Sequence, residues 1–242
     1  MFRPLHLLVL AFTLFFVPRF CRQMEPQPRK TQAFLRFSAV LMLFFDPAYW
    51  LWEWQTTGRF HPATSLPLYL CSLFWMLLPI AVFSKQGLWK RIALANLCTF
   101  GLMGGVLGLV FNVYLNQYPF FSFVPLRSLL YHFMMILVSA LLWKTELYRP
   151  RRGDAFLCWV PVGMLLIPCA IFSRLYGWDY CYLHGGQGTP LAHLSALLPP
   201  PFYFLVLYGG LALVVYGVFF RAADAEDRPR RAEEERMPYE SL

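Results

Sequence analysis

The chain has 242 residues, of which 58% are hydrophobic and 14% are charged, and its mean hydropathy is +0.49. Soluble domains carry about 25% charged residues, and they need more polar surface than this chain offers to cover a core of this size. The composition argues against a soluble enzyme, a free nucleic-acid-binding domain and a disordered chain. We therefore expect an all-α polytopic membrane protein.

Seven apolar segments are long enough, or nearly so, to cross the ~30 Å of hydrocarbon in a bilayer. In chain order they cover residues 4–20, 33–54, 66–83, 92–112, 123–143, 155–175 and 201–220. Pro18 breaks the apolar stretch of the first segment, which could be a signal-peptide core, but bulky and basic residues follow it instead of a small-x-small cleavage site. We therefore keep it as a helix and treat residues 1–220 as a single transmembrane domain.

Most of the 21 Lys and Arg residues lie in the connections after the first, third and fifth segments and in the tail at residues 221–242. The positive-inside rule then places the N-terminus outside and the C-terminus in the cytoplasm. This division accounts for the formal net charge of +8 without a nucleic-acid partner. The tail mixes Arg with Asp and Glu and has no apolar stripe, so we expect a charged, mobile, cytoplasmic end.

Three ionisable residues fall in the second segment: Arg36, Asp46 and Glu53. Asp46 and Glu53 are seven residues apart and share a helix face, and Pro47 predicts a kink beside Asp46. A carboxylate at this depth should face the bundle interior, because charge in hydrocarbon is costly. Two interpretations remain open for Asp46: it lines a polar site, or it forms a structural hydrogen bond or ion pair with another helix. For Glu53 we favour a structural role or a snorkelling end.

The fourth segment contains two overlapping small-residue motifs, Gly101-x-x-x-Gly105 and Gly104-x-x-x-Gly108. Such residues let helix backbones approach closely in a bilayer. We expect tight packing within the chain; a homodimer face is the alternative, although nothing else in the sequence indicates a homo-oligomer. The six cysteines follow no metal-ligand spacing, so we expect neither a metal site nor a disulfide framework.

Cys71 and His132 are the residues that we expect to carry any catalytic chemistry. Cys71 follows Pro67 in the first turn of the third segment, where a helix N-terminus favours a thiolate. His132 lies in the fifth segment, about 10–15 Å from its outer end at 1.5 Å per residue. Both segments run in the same direction, so the two side chains can share a depth and form an acyl-transfer pair. The simpler alternative is a core cysteine and a buried histidine with satisfied hydrogen bonds.

A series of short motifs follows these segments in order. They are Trp52-Glu53-Trp54, Gly58-Arg59-Phe60, Ser65-Leu66-Pro67-Leu68-Tyr69-Leu70-Cys71, Gly104-Gly105, Pro119-Phe120-Phe121 through Arg127 to His132, Gly177-Trp178-Asp179-Tyr180-Cys181-Tyr182-Leu183 and Pro199-Pro200-Pro201-Phe202-Tyr203. Over residues 33–220 the series resembles the YwaF-like integral membrane proteins of bacteria. These are distantly similar to a eukaryotic membrane acyltransferase family that acts on phospholipids.

The resemblance implies a compact helical bundle whose motif residues converge at one end, with Cys71 as the acyl-accepting nucleophile and His132 as its base. Tyr69 and Asp179 depart from the family pattern, which has His or Gln at the first position and Asn at the second. Tyr69 removes a polar group near the cysteine, and Asp179 adds a charge that must be hydrated or paired. Either departure would mean an altered substrate or a loss of the chemistry.

Three functions remain open. The first is a lipid acyltransferase, in which Tyr131, Tyr180 and the N–H groups at the start of the third segment stabilise the oxyanion. The second is a small-solute transporter with a path lined by Asp46, Arg36 and His132. The third is a non-enzymatic structural or assembly protein that docks through its glycine-rich segment.

Every one of these functions requires an integral membrane protein, and the resemblance implies the bacterial inner membrane. Membrane lipids are the expected partners, and nucleic acid is not. We expect no cofactor, since the chain has no motif for a nucleotide, haem or flavin. The residues expected to support Cys71 and His132 are Asp46, Glu53, Tyr69, Tyr131, Asp179 and Tyr180.

Overall fold

The computed structural model describes residues 4–186, 189 and 191–221, and every regular element in these ranges is a helix. The expected all-α fold is confirmed. Of the tail predicted at residues 221–242, all but the first residue lies outside the described residues. The helices are α1 (Pro4–Met24), α2 (Pro28–Met42), α3 (Phe45–Thr57), α4 (Pro62–Ser65), α5 (Leu73–Phe83), α6 (Leu88–Asn96), α7 (Leu102–Val110), α8 (Tyr114–Gln117), α9 (Phe123–Lys144), α10 (Asp154–Leu157), α11 (Val160–Tyr176), α12 (Leu191–Leu197) and α13 (Pro200–Val215).

Within the described residues, six helical runs are long and apolar enough to span a membrane. A shorter apolar helix lies at Leu70–Phe83, and together these seven elements correspond in order to the predicted segments. The first predicted segment is helical throughout, as α1, with Pro18 inside the helix. The six runs are Pro4–Met24, Pro28–Thr57, Leu88–Gln117, Phe123–Lys144, Asp154–Tyr176 and Pro200–Phe220.

The second run is broken between α2 and α3, at Leu43 and Phe44. Pro47 is the cause, because in a continuous helix its ring would collide with the carbonyl four residues earlier, that of Leu43. The kink predicted beside Asp46 is therefore present, and it leaves Asp46 in the first turn of α3. The positive end of the helix dipole there favours a carboxylate.

A π-helical turn at Leu97–Gly101 joins α6 to α7. The wider turn interrupts the ordinary helical pattern, so some carbonyl groups need other donors. Two side chains of α9 supply them: Ser139 Oγ donates to Leu97 O at 2.7 Å, and Trp143 Nε1 donates to Cys98 O at 2.8 Å. These bonds tie the fourth run to α9.

The glycine motifs of α7 pack on α9. A Cβ atom on Gly105 would lie 2.9 Å from Ile136 and 3.0 Å from Met135, and one on Gly108 would lie 2.1 Å from the His132 ring. A larger residue at either position would displace side chains of α9. The motifs therefore serve close packing within the chain, as expected from their sequence.

The Asp154 side chain links α6 to the connection that follows α9. The carboxylate is 1% exposed and accepts two bonds from the Arg91 guanidinium, at 2.7 and 2.6 Å. It also accepts the Tyr148 hydroxyl at 3.1 Å and the Arg151 N–H at 2.9 Å. Burial raises the pKa of Tyr148, so its hydroxyl keeps the proton that it donates. Both carboxylate oxygens of Asp154 therefore have partners.

Candidate functional site around Cys71

The segment before Cys71 is extended, and this corrects the predicted start of the third segment. Leu66 and Tyr69 have extended backbone angles, with ψ of 144° and 153°, and the helix begins with a 3₁₀ turn at Leu70–Ser72. Pro67 therefore precedes the helix and does not lie in its first turn, since the residue before a proline avoids the helical region. Cys71 still lies at a helix start, because the 3₁₀ turn leads directly into α5.

Tyr180 fixes this extended segment from the connection after α11. Its hydroxyl donates to Pro62 O and accepts the Leu66 N–H at 3.0 Å. Burial raises the pKa of Tyr180 to about 12, so the hydroxyl stays protonated. Tyr69 packs edge-on against the Tyr180 ring with centroids 5.0 Å apart. Both residues therefore help to position the segment that leads to Cys71.

Glu53 supports the same segment from α3. It is buried, and its carboxylate accepts the Ser65 hydroxyl at 2.7 Å and the His61 N–H at 3.2 Å. Trp50, on the same face of α3, donates to Ser65 O at 2.7 Å. The structure thus gives Glu53 a structural role in the loop between α3 and α5.

Asp46 forms an ion pair with Arg127 of α9. Arg127 also donates from Nε to Phe45 O at 2.8 Å, and its guanidinium lies over the Tyr49 ring, 4.9 Å from the centroid. The two charged side chains are only 16% and 14% exposed. This contact corresponds to the interhelical ion pair considered for Asp46. Arg36, in contrast, is exposed on α2.

The polar pairing at this end of the bundle is incomplete. Asp46 Oδ2, Trp75 Nε1 and Asn112 Oδ1 are buried and have no hydrogen-bond partner among the described residues. Trp75, in the first turn of α5, lies beside Asp46, so its indole N–H and the free carboxylate oxygen are a complementary donor and acceptor. Buried polar atoms without partners are rare in folded proteins. Three of them at one end indicate a place where a polar group can be bound.

Cys71 is half-buried beside these groups. The Tyr131 hydroxyl donates to Cys71 O at 3.0 Å. Asp46, Arg127 and Tyr131 all lie within electrostatic range of the thiol. The structure therefore brings together three residues that the sequence singles out, Cys71, Tyr131 and Asp46.

His132 faces α7, where its ring lies against Gly108. His132 Nδ1 is 2.8 Å from Ser128 O, and a carbonyl oxygen can only accept, so Nδ1 carries the proton. In the neutral ring Nε2 is then the nitrogen without a proton, as a general base requires. Among the described residues no hydrogen bond joins His132 to Cys71. The turn that contains Cys71 also packs on α7, and the acyl-transfer pair stays a prediction.

The two tyrosines expected to stabilise an oxyanion are engaged with the backbone. Tyr131 donates to the Cys71 carbonyl and Tyr180 to that of Pro62. The N–H groups of Cys71 and Ser72 lie beside the thiol, and that of Ser72 also donates to Tyr69 O at 2.9 Å within the 3₁₀ turn. Asp179 lies in the connection after α11, where its Oδ1 accepts the His184 N–H at 2.7 Å.

Arg127, Trp75 and Asn112 are the polar residues of this end that the sequence interpretation missed. In the sequence, Arg127 is named only as part of the motif that runs to His132 and is given no role. Its position inside the first turns of an apolar segment was the available signal, because a charge there needs a partner at similar depth. Trp75 gave no comparable signal, since Trp is common at membrane boundaries, and Asn112 ends the fourth predicted segment, where a polar residue is expected.

No group of three or more His, Cys, Asp or Glu side chains that could hold a metal ion occurs in the ranges that the structure describes.

Comparison with known families matches residues 1–220 to the model of the TMEM164 family. The match covers all of the helices described above. No curated protein and no solved structure matches the chain.

Proposed function

Since the chain belongs to the TMEM164 family of membrane proteins, we propose that it is a lipid acyltransferase that carries an acyl chain on Cys71 as a thioester. The supporting observation is the incomplete polar end of the bundle, where Cys71 lies beside a mostly buried ion pair and orphaned polar atoms. The resemblance of the motifs to YwaF-like proteins, and through them to a phospholipid acyltransferase family, supports the same chemistry.

The proposed reaction has two halves. In the first, His132 Nε2 takes the thiol proton, directly or through one water, and the Cys71 sulfur attacks the ester carbonyl carbon of a donor lipid. A C–S bond forms, the C–O bond breaks, and the proton moves to the leaving alcohol. In the second half, a hydroxyl of the acceptor lipid attacks the thioester carbonyl carbon and gives its proton to His132. A C–O bond forms, the C–S bond breaks, and His132 returns the proton to the Cys71 sulfur.

The Asp46–Arg127 pair has an electrostatic role in this scheme. Negative charge develops on the carbonyl oxygen in each half-reaction, and preorganised donors stabilise it most strongly where water is excluded. The Arg127 guanidinium and the N–H groups of the 3₁₀ turn that contains Cys71 are the donors in this proposal. Asp46 is then a positioning residue that holds Arg127.

Both lipids reach Cys71 from the side in this proposal. Leu126 and Leu130 flank Arg127 and Tyr131 on α9 and are 41% and 49% exposed, so the polar end lies next to a surface that faces acyl chains. We place this end in the outer half of the bilayer, as the basic residues predict, and the protein in the bacterial inner membrane. Membrane lipids are its partners.

The test is transfer of an alkyne-tagged acyl chain from phosphatidylcholine in membranes that contain the full chain. We expect a tag on the protein that hydroxylamine releases, together with tagged product lipid. Cys71→Ala should abolish both signals. Cys158→Ser, at a buried cysteine between α10 and α11, should retain them. His132→Ala should slow transfer about 100-fold or more, the usual contribution of a general base.

Other outcomes would favour the other functions. A tag that persists in Cys71→Ala contradicts the thioester. Solute uptake that is lost in Asp46→Asn but kept in Cys71→Ser would indicate a transporter. Full biological function after loss of both Cys71 and His132 would indicate a structural or assembly protein.

A further inference from the structure

Two cysteines that the proposed reaction does not use lie in contact near Cys71. Cys169 Sγ, in α11, is 3.5 Å from Cys181 Sγ, in the connection that follows this helix. Both side chains are completely buried. Both thiols also donate to one acceptor, Leu68 O, at 3.3 and 3.2 Å. The two sulfurs are therefore aimed at the same point and lie about 1.5 Å farther apart than a disulfide bond of about 2.0 Å.

We propose that Cys169 and Cys181 are a modification site, at which the chain forms an intramolecular disulfide. The bond would tie α11 to the 3₁₀ turn at Tyr180–Tyr182. Tyr208 already secures this turn through a hydrogen bond from its hydroxyl to Cys181 O at 2.7 Å. The inference is independent of acyl transfer, because neither sulfur belongs to the proposed reaction.

The chemistry requires an oxidant, and a protein disulfide of the thiol–disulfide oxidoreductase class supplies it. One cysteine thiolate attacks the oxidant's disulfide, which forms a mixed disulfide and releases one thiol of the oxidant. The second cysteine thiolate attacks the mixed disulfide and releases the other. The two electrons and two protons lost by the pair are then carried by the two thiols of the reduced oxidant.

The complete burial of the pair determines when oxidation occurs. An oxidoreductase cannot reach either sulfur in the folded bundle, so the bond must form during folding, before the connection packs on α11 and on the segment around Leu68. The outer side predicted for this connection is the oxidising side of an inner membrane. The sequence predicts no disulfide framework, because only the fold brings residues 169 and 181 together.

Oxidation would also change the segment that leads to Cys71. The two S–H donors of Leu68 O disappear when the disulfide forms, and Leu68 lies three residues before Cys71. The reduced and oxidised chains therefore differ in how this segment is held, while the bonds from Tyr180 remain.

The test counts oxidised cysteines in membranes quenched with acid. Free thiols are blocked with N-ethylmaleimide in SDS, the protein is reduced, and new thiols are labelled with PEG-maleimide. We expect two additions in the wild type and none in Cys169→Ser or Cys181→Ser. Cys158→Ser and Cys71→Ser should each keep two additions, and the result with Cys71→Ser separates this proposal from the thioester.

A second measurement on the wild type avoids any folding defect of the variants. Trypsin cuts after Arg174, which separates the peptide 153–174 from the peptide 175–221. Mass spectrometry should find these two peptides linked before reduction and separate after it, and still linked in Cys158→Ser. No PEG addition in the wild type, or additions that persist in Cys169→Ser, would overturn the proposal, as would a linkage lost in Cys158→Ser.

Discussion

Two aspartate–arginine pairs lie near opposite ends of α9, and they differ in how completely their polar atoms are satisfied. Asp154 accepts from Arg91, Tyr148 and Arg151, so both of its oxygens are occupied. Asp46 pairs with Arg127, but its Oδ2 has no partner among the described residues. Ion pairing alone therefore does not indicate function in this bundle. A complete set of partners marks a structural centre, and an incomplete set marks the end where we propose chemistry.

Loss of Asp154 should have the largest effect on stability. Asp154→Ala leaves the Arg91 guanidinium, whose side chain is 28% exposed, without its carboxylate, and removing one partner of a buried ion pair costs up to about 3–5 kcal/mol. We expect a large drop in the unfolding temperature of the protein in detergent. Acyl transfer per folded molecule should be unchanged, because Asp154 lies at the end away from Cys71.

The matched control is the exposed pair in the same connection. Arg149 and Glu146 are 69% and 63% exposed, so Glu146→Gln should cost less than about 1 kcal/mol. If Asp154→Ala unfolds no more easily than Glu146→Gln, completeness of pairing is not what stabilises this end.

Gly108→Ala should have the next largest effect on stability, and it should also slow acyl transfer. The new Cβ would lie 2.1 Å from the His132 ring, so the ring must move. Overpacking of this kind costs about 1–3 kcal/mol, and a displacement of about 1 Å in a catalytic group can slow a reaction about 100-fold. Transfer assays beside thermal unfolding would measure both effects.

Gly104→Ala is the corresponding control on the same face of α7. Its Cβ would lie 3.4 Å from the flexible end of Met135, so both stability and transfer should remain near those of the wild type. Equal behaviour of the two alanine variants would show that His132 does not need its present position.

Hydropathy and local chemistry predicted most of this fold, because each membrane-spanning helix must satisfy its own backbone. The kink at Leu43 followed from Pro47 alone. The extended segment at residues 66–69 could not be predicted in the same way. Its N–H and C=O groups are satisfied by Tyr180 and by the thiols of Cys169 and Cys181, which lie more than 100 residues away.

The candidate site was predictable to a smaller extent. Cys71, Tyr131 and Asp46 stood out as polar or reactive groups in apolar segments, and the fold brings them together. Their relation to Arg127 depends on which helices are neighbours, and no local pattern encodes that. A single residue in the sequence shows whether a polar or charged group falls in an apolar segment. Which residue it pairs with depends on the fold.

Asp46→Asn should have a moderate effect on stability. Asn keeps one oxygen for Arg127 but loses the charge, and hydrogen bonds to charged groups contribute about 1.5–3 kcal/mol. Because the ion pair is incomplete, we expect a cost at the lower end of that range, about 1.5–2 kcal/mol, smaller than that of Asp154→Ala. Transfer should fall more than stability does, since Arg127 loses its positioning partner. If transfer falls only as much as the amount of folded protein, Asp46 has a structural role and no part in positioning Arg127.

The smallest effect should come from the ion pair between Lys144 and Glu25. Lys144 ends the same helix that carries Arg127, and its Nζ lies 3.1 Å from Glu25 Oε1. The two side chains are 47% and 45% exposed, so water already solvates both charges and the pair contributes at most about 1 kcal/mol. Glu25→Gln should therefore leave the unfolding temperature and transfer nearly unchanged, and high salt should remove any difference. A cost comparable to that of Asp154→Ala would show that the number of ion pairs on α9, and not their burial and completeness, determines its stability.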